Sequence, residues 1–196
     1  MTLSQKEKKL LNNFNITGID EVGRGPLAGP VFVASYTITK NTPLYDLVND
    51  SKKLSEKKRN YLYSFLTEDP NSYKVVSKDA HFIDKMGIVE SIKISMEESI
   101  NFEDNYILID GVFKDRFRFE NYETCIKGDS IHYSIAAASI IAKVERDNLM
   151  KELDQKYPGY YFKDNKGYGT KKHIESIIKN GPCEIHRKTF ISNFVS

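Results

Sequence analysis

The feature that most constrains the fold of this chain is a helical pattern from Ser130 to about Tyr157, centred on Ala136-Ala137-Ala138-Ser139-Ile140-Ile141-Ala142. Side chains this small let a helix approach a sheet closely. Pro158-Gly159 ends the pattern. Strand-like segments precede it. Ile16 to Asp20 runs into Gly23-Arg24-Gly25-Pro26-Leu27-Ala28-Gly29-Pro30, a loop whose glycines and prolines forbid regular structure. Val31 to Thr39 and Tyr73 to Ser77 are rich in β-branched and aromatic residues, as strands are. Tyr106 to Asp110 reads as a strand buried on both faces, and Arg116 to Ile126 supplies a fifth.

Helices fill the intervals. Ser4 and Glu7 have capping-box spacing ahead of Leu10, Leu11 and Phe14. Ser55 caps a helix through Leu66 with Leu62, Phe65 and Leu66 facing inward, and Gly87 to Ile100 places Ile88, Ile92 and Met96 on one face. A last helix, Lys171 to Lys179, follows a loop with Gly167, Tyr168 and Gly169 and stops at Gly181-Pro182. Three early strands, then helices alternating with two more, predict an α/β fold in which helices cover a mixed sheet.

Composition narrows the class. With 196 residues, 40% of them hydrophobic and 29% charged, the chain fits one globular domain, 1–196. No window approaches the roughly 18 consecutive apolar residues of a membrane span, and Met1 to Asn15 lacks a signal-peptide pattern, so a cytoplasmic location is expected. Cys125 and Cys183 lack zinc-site or disulfide-framework spacing and read as two reduced thiols. The net charge of +2 identifies no partner, but its distribution is uneven. Residues 61–126 hold 7 Lys or Arg against 13 Asp or Glu, and residues 127–196 hold 12 against 8. The two ends of the chain would therefore meet a polyanion.

Four carboxylates stand where strands end or a helix begins. Asp20 and Glu21 close the first strand beside the glycine-rich loop; Asp110 ends the apolar run Tyr106 to Ile109; Asp129 precedes the small-residue helix. Each has an ordinary alternative, a surface turn for Asp20-Glu21 and for Asp110-Gly111, a helix N-cap for Asp129. Converging, they would repel one another unless they bind divalent cations, and oxygen ligands favour Mg²⁺ or Mn²⁺ over zinc. Two such ions about 3.5 to 4 Å apart suit phosphodiester hydrolysis. Around them lie groups suited to a nucleic-acid backbone: Lys52, Lys53, Ser139, Lys143 one turn further along the same face, and His186-Arg187-Lys188. Each also fits an ordinary solvated or packed role. Tyr168, between glycines, is expected to be exposed on a flexible loop, where it could stack on a sugar or base.

Together these segments resemble the ribonuclease HII family, type 2 ribonuclease H, from Gly18 to Phe190. The resemblance rests on Gly18 to Pro30, Asp50-Ser51-Lys52-Lys53-Leu54, Ile109-Asp110-Gly111 and Lys127-Gly128-Asp129. It continues through Ile135 to Lys143, Arg146-Asp147, Gly167-Tyr168-Gly169-Thr170 with His173, and His186-Arg187. It implies a ribonuclease H-like mixed five-stranded sheet flanked by helices, with a helical C-terminal region, about 158–196, completing the substrate groove. It implies that Asp20, Glu21, Asp110 and Asp129 are catalytic and hold two Mn²⁺ or Mg²⁺ ions. Gly23, Arg24 and Gly25 would sense the 2′-hydroxyl, and Tyr168 would stack on the following deoxyribose; Lys52, Lys53, Ser139 and Lys143 would meet substrate.

The implied activity is endonucleolytic hydrolysis of the RNA strand of RNA/DNA hybrids, with incision 5′ of single ribonucleotides in duplex DNA, leaving 3′-hydroxyl and 5′-phosphate ends. The expected partners are RNA/DNA hybrid and ribonucleotide-containing duplex DNA, met by a monomer without a membrane. Thr189 stands where the family more usually has serine and Gly169 where many members have proline; neither touches the carboxylates. The chain has no room for the N-terminal substrate-binding domain of ribonuclease HIII. Two other readings are a hybrid nuclease indifferent to the RNA-to-DNA junction and a noncatalytic duplex binder; clustered acid without metal beside a phosphate groove argues against the latter.

Overall fold

The computed structural model describes residues 1–100, 105–113 and 117–193. Five strands, β1 (Asn15–Val22), β2 (Val31–Ile38), β3 (Tyr73–Lys78), β4 (Asn105–Asp110) and β5 (Tyr122–Cys125), form one mixed sheet in the order β3-β2-β1-β4-β5. The pairs β1–β2 and β2–β3 are antiparallel; β1–β4 and β4–β5 are parallel. The helices are α1 (Gln5–Leu10), α2 (Glu56–Leu66), α3 (Ala80–Met86), α4 (Ile88–Glu98), α5 (Tyr133–Lys156), α6 (Phe162–Asn165), α7 (Lys171–Asn180) and α8 (Lys188–Ile191). No helix among the described residues is long and apolar enough to cross a membrane.

Two-residue alternation sorts the side chains between two layers. Ile16, Ala34, Tyr36, Ile38 and Leu108 pack with α5 and α2, while Ile19, Val31, Val33, Ile107 and Ile109 pack with Ile83, Ile92 and Met96 of α3 and α4. The predicted close approach of the small-residue helix is met by a glycine on the sheet. A Cβ at Gly18 would lie 2.1 Å from the Ser134 carbonyl carbon and 2.3 Å from the Ile135 nitrogen. A third cluster, with Ala28, Met150, Tyr160, Phe162 and Ile177, binds the C-terminal helices to the far end of α5 and to the glycine-rich loop.

The start of α5 corrects the capping reading of Asp129. That residue sits in a 3-10 turn, Gly128–Ser130, and the N-cap position belongs to His132, which makes no side-chain cap bond. The cap comes from α1. Buried Glu7 accepts from the Tyr133 amide at 3.1 Å, the Ser134 amide at 2.9 Å and the Ser134 hydroxyl at 2.8 Å, while completing its own capping box with Ser4. A carboxylate at a helix N-terminus satisfies orphan amides and complements the helix dipole.

Three further elements differ from expectation. In the Arg116 to Ile126 segment, Arg116 lies outside the described residues and strand pairing extends only over Tyr122–Cys125. Phe117 instead stacks on Phe119 at 4.9 Å and meets Tyr122 edge-on, against the isoleucine-rich face. Before α4, Asp79 caps α3, and Gly87 at φ 79° separates the two helices. After α7, thought to be the last helix, α8 adds one turn.

Gly18→Ala tests the seam between α5 and β1. Its methyl group has no room unless helix and strand separate, so unfolding stability measured in urea should fall by about 3 kcal/mol or more. An unchanged midpoint would mean that the two elements part without cost.

Candidate active site

Strand register brings the first carboxylates together. Ile19 pairs with Ile109 across the parallel β1–β4 ladder, so the next residues, Asp20 and Asp110, end neighbouring strands on the face that carries α5. Asp20 is 6% exposed, one of its oxygens accepts the Glu21 amide at 2.7 Å, and Ser139 of α5 lies near enough to favour its ionised form. Asp110 accepts the Gly128 amide at 2.7 Å, which ties the tip of β4 to the turn that holds Asp129. Asp129 itself is 5% exposed.

These groups repel one another. Burial, then Glu21 and Asp110, raises the Asp20 carboxyl well above the usual carboxylate range, with Ser139 working against the rise. Burial raises Glu21 as well; Arg24, with a guanidinium nitrogen 3.9 Å from the carboxylate, opposes the rise and Asp110 adds to it. Asp129 is raised by burial and then by Asp50 and Asp110. Among the described residues, no three acidic, histidine or cysteine side chains are grouped closely enough to form a finished metal cage. The donor set still fits a hard divalent cation: it is all oxygen, largely buried, and its repulsion would be relieved by positive charge.

Asp50 joins this group without having been singled out from the sequence. Its carboxylate accepts the Lys52 amide at 2.9 Å, shaping the turn Ser51–Lys53, and its charge is close enough to Asp129 to raise that carboxyl. The signal was its place ahead of Ser51-Lys52-Lys53, where an Asp that folds its own turn is an ordinary occurrence. Lys52 stands over the carboxylates. Burial disfavours its charge, but Asp20, Asp129, Asp50 and Asp110 outweigh burial and raise its pKa. Lys53 is exposed, 3.5 Å from Asp50 and 3.3 Å from the Ser130 hydroxyl. Ser139 is 4% exposed, and its hydroxyl is 2.8 Å from that of Ser51. Its proximity favours the ionised form of Asp20. Lys143, half-buried, is held by Asp147 at 2.7 Å.

The glycine-rich loop is shaped by two buried arginines. Arg187 donates to the carbonyls of Gly29 at 3.0 Å, Arg24 at 3.0 Å and Gly23 at 2.6 Å; Arg146 donates to Pro30 at 3.0 Å and Ala28 at 3.4 Å. Both guanidiniums are fully buried and face carbonyl oxygens, the acceptors that five-donor forks can share. With its carbonyls drawn inward, the loop leaves the amides of Gly23, Arg24 and Gly25 without an acceptor among the described residues. Gly23, at φ 93°, could not hold a Cβ, which would lie 2.3 Å from Arg146 Nε. His186 and Arg187, expected near a phosphate backbone, are thus buried framework, and only Lys188 of that triplet is exposed.

Tyr168 is exposed as expected, at 43%, but its loop is pinned. Its amide donates to Asn165 at 2.9 Å, its carbonyl accepts from Thr170 at 2.8 Å, and the Gly167 carbonyl accepts from Leu27 at 2.8 Å. The ring stands beside Gly25, 3.9 Å from where a Cβ there would be, with the Arg146 guanidinium 6.0 Å from its centre. Substrate-facing candidates thus surround one mouth: four carboxylates, Lys52, free loop amides and an aromatic ring.

Comparison with known proteins identifies the family and the fold. The family model described as Ribonuclease HII matches residues 17–193. Ribonuclease HII of Caldicellulosiruptor bescii is 44% identical over 195 residues, covering 97% of this chain and 94% of the relative. Among solved structures, ribonuclease H2 from Pyrococcus horikoshii OT3 superposes with a TM-score of 0.73 at 25% identity, covering 92% of this chain and 98% of its own. The ribonuclease HII of a PCNA:RNase HII complex from Archaeoglobus fulgidus gives 0.72 at 25% identity, covering 88% and 93%.

Raised carboxylate pKa values have a measurable consequence for the metal-free protein. A group raised in the folded state contributes full stability below its unfolded value, about pH 4, and loses it as pH climbs through the folded value. Ionised Asp20, Glu21 and Asp129 therefore oppose folding at neutral and higher pH. In calorimetry at about pH 8, Asp129→Asn should melt a few degrees higher than the native chain, and the gain should vanish towards pH 4. Added Mn²⁺ should raise the melting temperature of the native chain more than that of the variant. A variant that melts lower than the native chain at pH 8 would contradict the repulsion.

Proposed function

The chain belongs to the ribonuclease HII family and is a ribonuclease H, an endonuclease acting on RNA/DNA hybrids, and from that premise we propose that it incises duplex DNA 5′ of an embedded ribonucleotide. One observation supports this more than any other: the buried carboxylates at the strand tips lie beside a loop whose amides, at Gly23, Arg24 and Gly25, have no acceptor among the described residues. The first set suits phosphate hydrolysis; the second suits a hydroxyl that only RNA carries.

Asp20, Glu21, Asp110 and Asp129 would hold two Mg²⁺ or Mn²⁺ ions, which when bound supply activation of the attacking water and neutralisation of charge at the phosphate and the leaving 3′-oxygen. The protein's own contribution is placement. The Glu21 amide holds the Asp20 carboxylate, and the Gly128 amide holds that of Asp110, so the ligand oxygens are oriented before substrate arrives. Lys52 brings a positive charge against the scissile phosphate, and Lys53 and Lys143 meet the backbone on either side. Lys143 must first leave Asp147 or share it with the phosphate.

Selection lies in the loop and the ring. Amides of Gly23 to Gly25 donate to the ribose 2′-hydroxyl, glycine allowing the main chain to come close. Tyr168, one ring-width from Gly25, stacks on the deoxyribose that follows, which makes the RNA-to-DNA step the preferred substrate. The C-terminal helices complete the groove, and the products are a 3′-hydroxyl and a 5′-phosphate on the ribonucleotide.

A duplex with one ribonucleotide, incubated with the protein and Mn²⁺, should be cut once, 5′ of the ribonucleotide, while an all-DNA duplex stays whole; equal cutting of both would sink the proposal. Asp110→Asn should lower kcat at least about a hundredfold without loss of fold. Tyr168→Ala should reduce cleavage at the single ribonucleotide more than cleavage of a long hybrid. Equal reduction on the two substrates would favour a hybrid nuclease indifferent to the junction.

A further inference from the structure

Two buried imidazoles lie directly behind Tyr168. His173, in the first turn of α7, and His186 are 0% and 2% exposed, and their Nε2 atoms face each other at 3.1 Å. His173 Nδ1 is 2.8 Å from the Tyr168 carbonyl oxygen. His186 Nδ1 is 2.9 Å from the Cys183 amide. Phe162 meets His173 edge-on at 5.4 Å, and Tyr160 meets His186 at 4.9 Å, so the rings cannot turn freely.

One neutral proton arrangement serves the contact between the rings and the one to Tyr168, while Cys183 surrounds His186 Nδ1 with its amide at 2.9 Å, its Sγ at 3.1 Å and its carbonyl oxygen at 3.2 Å. The Tyr168 carbonyl has no proton to give, so His173 Nδ1 carries one and its Nε2 is bare. His186 must then donate through its own Nε2, which leaves its Nδ1 bare to accept the Cys183 amide. Burial lowers both imidazole pKa values, that of His186 to about 4, in keeping with two uncharged rings at neutral pH. The result is a chain of hydrogen bonds from the Cys183 amide through both rings to the backbone of Tyr168.

That chain is anchored in the glycine-rich loop. His186 forms a bridge with Ala28, the Gly29 amide donates to Ile185, and the Arg187 amide donates to Leu27. Neighbouring Arg187 holds the carbonyls of Gly23 and Arg24 by its side chain. The dipeptide His186-Arg187 therefore grips both parts of the mouth, the loop amides through the arginine and the stacking ring through the histidine pair. Two apolar rings would fill the same space, but would cost the Tyr168 carbonyl one of its donors and leave the Cys183 amide unpaired.

We propose that His173 and His186 are positioning residues that fix the Tyr168 ring against the Gly23-Arg24-Gly25 loop and thereby set the preference for an RNA-to-DNA junction. The inference rests on the junction reading of Tyr168. Its test compares kcat/KM for a duplex with a single ribonucleotide against kcat/KM for a long RNA/DNA hybrid, both with Mn²⁺. His173→Phe should lower this ratio about tenfold, while His173→Asn, whose amide nitrogen overlies Nδ1, should restore most of it. In a Tyr168→Ala background, His173→Phe should change the ratio no further. Imidazole ¹⁵N shifts of the native protein should show His173 protonated at Nδ1 and His186 at Nε2.

Equal losses on both substrates, or the same fall in the ratio with and without Tyr168, would overturn the inference and reduce the pair to packing. The reverse tautomer on either ring would do the same. If Tyr168→Ala itself leaves the ratio unchanged, the junction reading fails, and this inference falls with it whatever the histidine variants do. If His173→Phe does not fold, retention of the ratio in His173→Asn and the ¹⁵N spectrum decide.

Discussion

Backbone contact between α5 and β1 at Gly18 is the constraint on which the rest of the molecule depends. Once a strand and a helix touch without a side chain between them, every residue further along the helix faces a fixed point on the sheet or its loops. Ser134 and Ile135 meet Gly18; Ser139 meets Asp20; Arg146 meets Gly23 and Pro30; Met150 meets Gly29 and Gly167. At about 1.5 Å per residue, the helix measures off the distances between carboxylates, loop and C-terminal region. The glycines at Gly23, Gly29 and Gly167 lie along this line because α5 and its side chains take the space where a Cβ would stand, helped at Gly167 by the Ala28 carbonyl.

Two kinds of buried charge then coexist at short range with opposite treatment. The carboxylates are left short of partners, so that burial and mutual repulsion raise Asp20, Glu21 and Asp129. The guanidiniums of Arg146 and Arg187 are buried as deeply, yet each nitrogen except Arg146 Nη1 donates to a loop carbonyl. An unsatisfied buried charge is costly and a well-bonded one is a fastener. The strand tips are therefore poised for a ligand while the loop beside them is held in shape.

Much of this was legible in the sequence because it is local. β-Branched, aromatic and continuous apolar runs located β2 to β4, cap residues Ser4 and Ser55 located helix starts, and the run Ala136 to Ala142 announced a close-packed helix. Asp20 and Asp110 were legible as strand-end carboxylates. What escaped depends on long-range partners. Nothing near Asp129 shows that its expected capping role belongs to Glu7, and nothing near His186-Arg187 shows that those groups point into the loop and not towards solvent. Asp50 was hidden for the opposite reason, since a local turn role accounts for it before Asp129 is brought to its side.

The Glu7 cap also orders events in time. Its carboxylate and the amides it satisfies are 126 residues apart in the chain, so during synthesis Glu7 is solvated long before the start of α5 exists. Closing so long a loop is entropically slow but grows only weakly more costly with length. The first turn of α5 is accordingly capped only once a segment made early in translation meets one made some 126 residues later, so any break in the chain between them would separate cap from helix.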